Sequence, residues 1–234
     1  MSTSADVTAV SAAVAQLARA HPVVLVDEAG VVLVHAAATI TTEAMAFIVK
    51  HTSGLVYVAL TASRCAQLRL PPMWPFGDPS APDHCVTFDA REGTTTGISA
   101  HDRAVGAKLL ARSDTTHADL LRPGHLIPIR AADGPVLARA GRPETAIRLV
   151  ELAGLPPVAV LAEVVSTQEP TRMCTEAEGR QFATEHGLAA LSPADVVRHE
   201  CDLLAQLVGS PGDLGAHGGQ PFQRTVIPRP ERDN

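Results

Sequence analysis

Apolar residues along the chain fall into runs whose spacing separates strands from helices. "VVLVDEAGVVLVHAA", residues 23–37, reads as two β-branched runs, Val23–Val26 and Val31–Val34. They flank a polar Asp27-Glu28-Ala29-Gly30 turn, which predicts a hairpin with glycine where a positive φ is needed. Ahead of it, residues 5–20 repeat apolar positions at Val10, Val14 and Leu17, the spacing of one helix face. Thr41 or Thr42 caps a helix through about His51, with Glu43 in its first turn. "GLVYVAL" (54–60) and "PVAVLAEVVS" (157–166) read as buried strands, and "HCVTFDA" (84–90) alternates like a third.

Further helices are predicted from Ser99 to about Arg112 and from Pro143 to Gly154. Another ends near Gly187, opened by a Thr175/Glu178 capping box, and the last runs from Ser192-Pro193 to about Gly209. "RPGHLIPIRA" and "GPVLARAG" read as short extended pieces around an Asp133-Gly134 turn. Five prolines in residues 69–83 predict a long ordered loop or lid. Helices and strands mix without strict alternation, which predicts a single α/β domain with α+β-type layers on a mixed sheet, residues 1–208. Residues 209–234, rich in Gly, Pro and charge without a period, read as a tail.

Composition narrows the function. Apolar residues make up 46% of 234 and aromatics only 3%, so Ala, Val and Leu carry the packing and base stacking is disfavoured. A formal charge of −6 speaks against a polyanion-binding surface. The four cysteines form no CxxC pair, and no apolar stretch reaches membrane-spanning length, so a cytoplasmic protein with free thiols is expected, with neither nucleic acid nor membrane as partner.

Polar residues exceed what the pattern needs at three places. In "TTTGISAHDR" (94–103) a glycine turn enters a helix capped by Ser99 with Asp102 in its first turn. The arrangement suits an anion, although a plain capped helix start accounts for it too. In "RPGHLIP" (122–128) Gly124 permits close backbone approach and His125 could donate to an oxyanion or shuttle a proton. In "ARAGRPETA" (138–146) Arg139 and Arg142 precede a helix start, as a phosphate or carboxylate clamp or as two solvated arginines. Glu163 interrupts an apolar strand and must face solvent, a partner or a cleft.

Together these stretches resemble 3,4-dihydroxy-2-butanone 4-phosphate synthase of the riboflavin pathway. "TTEAMAFIVKHTSGLVYVAL", "LRLPPM", "FDAREGTTTGISAHDRA", "RPGHLIPIRA", "ELAGLPPVAVLAEV" and "FATEHGL" agree in order and spacing from about residue 8 to 199. The resemblance implies a mixed-sheet α/β fold and a homodimer with sites near the interface. It also implies an enzyme that takes ribulose 5-phosphate, binds two magnesium ions, enolises the sugar, shifts its skeleton and expels formate. His125 matches the Pro-Gly-His histidine, Arg139 an arginine near the substrate phosphate, and Glu144 the glutamate of Gly-His-Thr-Glu-Ala. Glu163 matches the late-strand carboxylate, and Asp27 an aspartate just before the acidic metal loop.

The sequence departs from that pattern in places. The Arg-Glu-Asn-Glu-Gly-Asp loop is cut to the Asp27–Gly30 turn, the metal-ligand histidine is Arg142, its following threonine is Pro143, and a strand cysteine is Tyr57. Magnesium prefers hard oxygen ligands, so these changes predict a divergent, metal-independent enzyme with no cofactor. Its expected chemistry is enolisation, isomerisation, cyclisation or carbon–carbon bond change on a carbonyl metabolite, in specialised metabolism. Glu163, His125, Arg142 and Asp27 are its expected catalytic residues, and Arg139, Ser99, Asp102, Gly124, Glu144 and Tyr57 its substrate-binding ones. Trp74 and Phe76 extend a hydrophobic environment around the site. A genuine magnesium-dependent synthase and a non-catalytic ligand-binding paralogue are the alternatives.

Overall fold

The computed structural model describes residues 4–74, 83–132 and 134–208. The expected tail 209–234, Phe76 and Asp133 lie outside the described residues. The central layer is a mixed sheet in the order β4-β6-β3-β7-β2-β1-β8, with β5 added along β6. The predicted hairpin is β1 (Val23–Asp27) and β2 (Gly30–Ala36), antiparallel with Asp27 opposite Gly30. Next to β2 runs β7 (Ala159–Glu163), antiparallel, with Val32 opposite Glu163. β3 (Val56–Leu60) pairs antiparallel with β7 and parallel with β6 (Leu120–Arg130). β8 (Ala190–Leu191) adds a short parallel edge to β1.

Period-two alternation sends side chains to both faces of this sheet. Val31 and Leu33 of β2 join one core, while Val32 and Val34 join the other. The first core is covered by α2 (Thr42–His51), α4 (Ala100–Ala111) and α6 (Glu176–His186), through Met45, Ile48, Ala107, Leu110 and Phe182. The second is covered by α1 (Ser4–Ala18), α5 (Arg142–Leu152) and α7 (Pro193–Val208), through Val10, Leu17, Leu149, Val150 and Val196. Burial on both faces explains why the hairpin strands read as continuous apolar runs. Removing a fully buried side chain such as Leu33 costs about 2–5 kcal/mol.

The predicted caps act as capping oxygens. Thr41 accepts from the Ala44 amide at 3.1 Å, and Thr175 and Glu178 form a reciprocal capping box on α6. Three readings are corrected. "HCVTFDA" is not one strand but two, β4 (Asp83–His84) and β5 (Phe88–Ala90), pairing with different parts of β6. α3 (Ala62–Gln67) arises where no element was read, because six residues hold too little periodicity to see. "GPVLARAG" forms no strand. Among the described residues, no helix is long and apolar enough to cross a membrane.

Candidate active site

One end of the sheet gathers the polar side chains. Glu163 closes β7, Asp27 closes β1, and Arg142 opens α5 above them. The Arg142 guanidinium donates Nε–H to Asp27 Oδ2 at 2.7 Å and Nη2–H to Oδ1 at 2.5 Å, a bidentate pair. Its Nη1–H donates to Glu163 Oε1 at 3.3 Å. The arginine side chain is only 16% exposed, so a permanent cation is held between two carboxylates with little water around it. Burial pulls Asp27 up, but the guanidinium and the amides of Ala29 and Gly30 outweigh it and hold the carboxyl below its ordinary value. Gly30, at φ +128°, closes the hairpin turn beside this pair, where an added Cβ would be in ordinary contact with Arg142 Nη2 at 3.7 Å.

His125 lies on β6 and Glu163 ends β7, the two strands that flank β3 in the sheet. His125 Nδ1 lies 2.7 Å from Asp89 Oδ2, and its backbone N–H donates to Oδ1 at 2.9 Å. A neutral imidazole that donates Nδ1–H to this carboxylate keeps Nε2 as its proton acceptor. Asp89 was missed by the sequence reading, because in "VTFDA" it looks like an alternating strand residue. Only the β5–β6 pairing brings it to His125. Gly124 does permit close approach, since a Cβ there would lie 2.1 Å from the Phe88 carbonyl carbon.

The loop before α4 is bound into the same corner. Asp102 accepts from the Thr95 N–H at 3.1 Å, the Thr95 hydroxyl at 2.8 Å and the Gly97 N–H at 3.0 Å. Ser99 Oγ accepts from the Asp102 N–H as the helix cap. Both residues, read as substrate contacts, therefore spend their oxygens shaping the loop. That loop presses Gly97 against the Asp89–His125 pair.

At the α5 start, Glu144 is buried and accepts from the Ala132 N–H at 2.7 Å, with Arg139 Nε 3.7 Å from the same oxygen. The other oxygen, Oε2, has no hydrogen-bond partner among the described residues and faces Gly141. Tyr57 is half-buried beside Glu163; burial first, then the Glu163 charge, push its phenol up. Its ring lies 5.5 Å from that of His84. Trp74 is 66% exposed, so it does not enclose the described site.

Residues 11–199 match the family model for 3,4-dihydroxy-2-butanone 4-phosphate synthase. Riboflavin biosynthesis protein RibBA of Nocardia farcinica is 44% identical over 190 residues, covering 79% of this chain and 46% of that protein. RibBA of Mycobacterium tuberculosis is 41% identical over 193 residues, covering 80% of this chain and 45% of that protein. The chain thus spans about half the length of these curated relatives. Among solved structures, a 3,4-dihydroxy-2-butanone 4-phosphate synthase in complex with two magnesium ions superposes with TM-score 0.76 at 36% identity, over 84% of this chain and 96% of that one. The synthase of Candida albicans gives 0.75 at 36% identity, over 81% and 96%.

These matches overturn part of the sequence reading. Relatives this similar carry the riboflavin-biosynthesis name, against a divergent enzyme of specialised metabolism. A solved relative holds magnesium, against the expectation of metal-independent chemistry with no cofactor. The agreement over residues 11–199 outweighs the local departures at the turn and at Arg142. The local donor set remains unusual: among the described residues, no three His, Cys, Asp or Glu side chains converge as a metal cluster. The two carboxylates that do converge, Asp27 and Glu163, are spanned by Arg142, so the arrangement as it stands does not fit a divalent ion. The fold, the site's place in it and residues 11–199 agree on one conclusion: the chain belongs to the 3,4-dihydroxy-2-butanone 4-phosphate synthase family.

Proposed function

We propose that the chain is a lyase that divides the carbons of ribulose 5-phosphate between 3,4-dihydroxy-2-butanone 4-phosphate and formate, in riboflavin biosynthesis. The observation that carries this reading is the match over residues 11–199, within which Glu163, His125, Arg142 and Asp27 line one end of the sheet.

The reaction begins with removal of a proton beside the ketone. His125 is built for proton traffic: Asp89 orients the ring through Nδ1 and leaves Nε2 to accept and return a proton. Glu163, two strands away, is the carboxylate suited to serve the opposite side of a small sugar. Arg142 supplies N–H donors and a fixed positive charge where an enediolate oxygen develops. Arg139, 36% exposed beside the α5 start, is placed to take the substrate phosphate, which favours a bidentate guanidinium near a helix N-terminus. Glu144 holds the Ala132 backbone and so shapes the segment leading to Arg139. Tyr57 walls the site beside Glu163. Exposed Leu55, Ile98 and Leu121 offer apolar surface near this corner, which supports a homodimer with its sites near the interface.

The test is formate release from ribulose 5-phosphate by the purified chain with magnesium supplied. One formate per pentulose consumed, strongly reduced in His125→Ala, supports the reading. No formate above the His125→Ala background defeats it.

A further inference from the structure

We propose that Cys65 and Cys85 form a thiol–disulfide pair, which a peroxide converts to a reversible cross-link between α3 and the strand end beside the site. The proposal is independent of the reaction catalysed, and no formate measurement enters its test.

The two cysteines bracket the proline-rich stretch 69–83, and the fold brings them together. Cys65 sits in α3, where its N–H donates to the Thr61 carbonyl at 3.0 Å and its own carbonyl accepts from the Leu70 N–H at 2.9 Å. The chain then runs back along the segment after β4. The Val86 N–H donates to the Pro71 carbonyl at 2.9 Å, the Met73 N–H donates to the His84 carbonyl at 2.8 Å, and Pro72 bridges Cys85. On its other side Cys85 is pinned to β6, its N–H donating to the Pro128 carbonyl at 2.8 Å. Both side chains are buried in the same apolar core, and both thiols are free. The Cys65 thiol donates to Cys85 Sγ, which in turn donates to the Asp83 carbonyl at 3.7 Å. Two sulfurs in hydrogen-bond contact close to the disulfide length of about 2 Å by side-chain rotation.

The two sulfurs differ in role. Donation from Cys65 and the Arg130 charge hold the Cys85 thiol below its ordinary value against burial, while that same bond and burial push Cys65 up. Asp83 also faces the pair, but it is ion-paired with Arg130. Cys85 therefore supplies the attacking thiolate. Its sulfur bonds to one oxygen of hydrogen peroxide, the O–O bond breaks, and the departing hydroxide takes up a proton as water. The Cys65 sulfur then attacks the Cys85 sulfenic acid: S–S forms, S–O breaks, and the Cys65 proton leaves with the oxygen as a second water. The cover over the pair is thin, since α3 has six residues and Met73 is half exposed. Local opening of such a segment admits a molecule as small as peroxide. The cross-link fixes Cys85 in place. Its neighbour His84 packs its ring 5.5 Å from that of Tyr57, the wall beside Glu163, so the staple holds the strand end on which this wall leans.

The test exposes the purified full-length chain to hydrogen peroxide under native conditions until exposed Cys201 is consumed, then alkylates the remaining thiols in denaturant and digests with trypsin. Cleavage after Arg64, Arg69 and Arg91 puts Cys65 in peptide 65–69 and Cys85 in peptide 70–91. The two peptides are expected to appear joined in mass spectrometry and to separate on treatment with a dithiol reductant. The oxidised chain is expected to unfold at higher urea than the reduced one, because the link closes a loop in the unfolded state. Cys201→Ser is expected to keep the link, and Cys65→Ser to lose it and leave Cys85 over-oxidised. Separate alkylated peptides 65–69 and 70–91 after Cys201 has reacted overturn the proposal, as does a link from either cysteine to Cys174 or Cys201. The mapping uses the unaltered chain, so a variant that fails to fold leaves it decisive.

Discussion

Gly97→Ala tests whether the loop before α4 holds the Asp89–His125 pair in place. Gly97 sits at φ +87°, where a side chain costs about 1 kcal/mol in backbone energy alone. Its new Cβ would lie 2.1 Å from Asp89 Oδ2, 2.4 Å from Asp89 Cγ and 2.7 Å from His125 Nδ1. Ordinary non-bonded contact begins near 3.5 Å, so one partner must move by an ångström or more. Asp89 can swing away and lose its bonds to His125, or the loop can lift and lose the Gly97 N–H bond to Asp102. Either route costs roughly 2–3 kcal/mol more, for a total of about 3–4 kcal/mol. Gly187→Ala supplies the ruler. Gly187 has φ +65° at the end of α6 with nothing within 4 Å of an added Cβ, so only the backbone cost of about 1 kcal/mol applies. Urea unfolding of both variants by circular dichroism measures the difference, and formate release measures the functional loss. If the two variants are equally destabilised within about 0.5 kcal/mol, or Gly97→Ala keeps full turnover, the loop does not brace the pair and the argument fails.

Asp89→Asn keeps an acceptor for the His125 amide but removes the carboxylate from Nδ1. Turnover is expected to fall by about 10²-fold or more, with little change in urea midpoint; unchanged turnover would remove Asp89 from the site. Arg139→Gln is expected to raise KM for ribulose 5-phosphate roughly tenfold with kcat nearly kept, the mark of a lost phosphate contact. His35 and His51 both have folded values below the ordinary 6.5, chiefly through burial. Their neutral forms are favoured in the fold, so the stability they allow is complete above 6.5 and lost as pH falls through their folded values. The urea midpoint should therefore drop between pH 7.5 and 5.5, and His51→Phe, set among Phe47, Phe182 and His186, should reduce that drop. Asp27 has the opposite chemistry with the same direction. Its folded value lies below 3.8, so its contribution is complete above 3.8 and disappears as pH falls further; Asp27→Asn should flatten the acid limb of a midpoint–pH curve.

Elements were legible where local chemistry alone decides them. The β1–β2 hairpin shows because β-branched runs flank a short polar turn, and α6 shows because Thr175 and Glu178 cap each other within four residues. What the sequence concealed depends on pairing. Residues 84–90 alternate like one strand, but their two ends attach to β6 at Ile129 and at Leu120–Leu126, a split set by tertiary register. The same register brings Asp89 to His125, and nothing beside it in the chain announces that. Asp102 shows the reverse: its place in a first helical turn suggested an anion site, but the carboxylate folds back on the Thr95 and Gly97 amides and occupies them itself. The position of Arg142 was legible, and so was its departure from the family pattern. Its two carboxylate partners were not, since one lies 115 residues away along the chain.

Arg142 is in an unfavourable place by local rules, which makes its partners informative. A cation in the first turn of a helix opposes the helix dipole by about 0.3–1 kcal/mol, so α5 by itself would prefer an acidic residue there. The first turn also holds Glu144, which favours the dipole but bonds the Ala132 amide rather than Arg142. The charge is balanced only from the sheet, by Asp27 and Glu163. Those two carboxylates would repel each other if left without a cation. Asp27 ends β1 opposite Gly30, and the tight hairpin turn keeps it within reach of the arginine. The short turn, the glycine, the two acids and the arginine thus form one electrostatic unit, in which the sheet end requires a positive charge and the chain supplies it from α5.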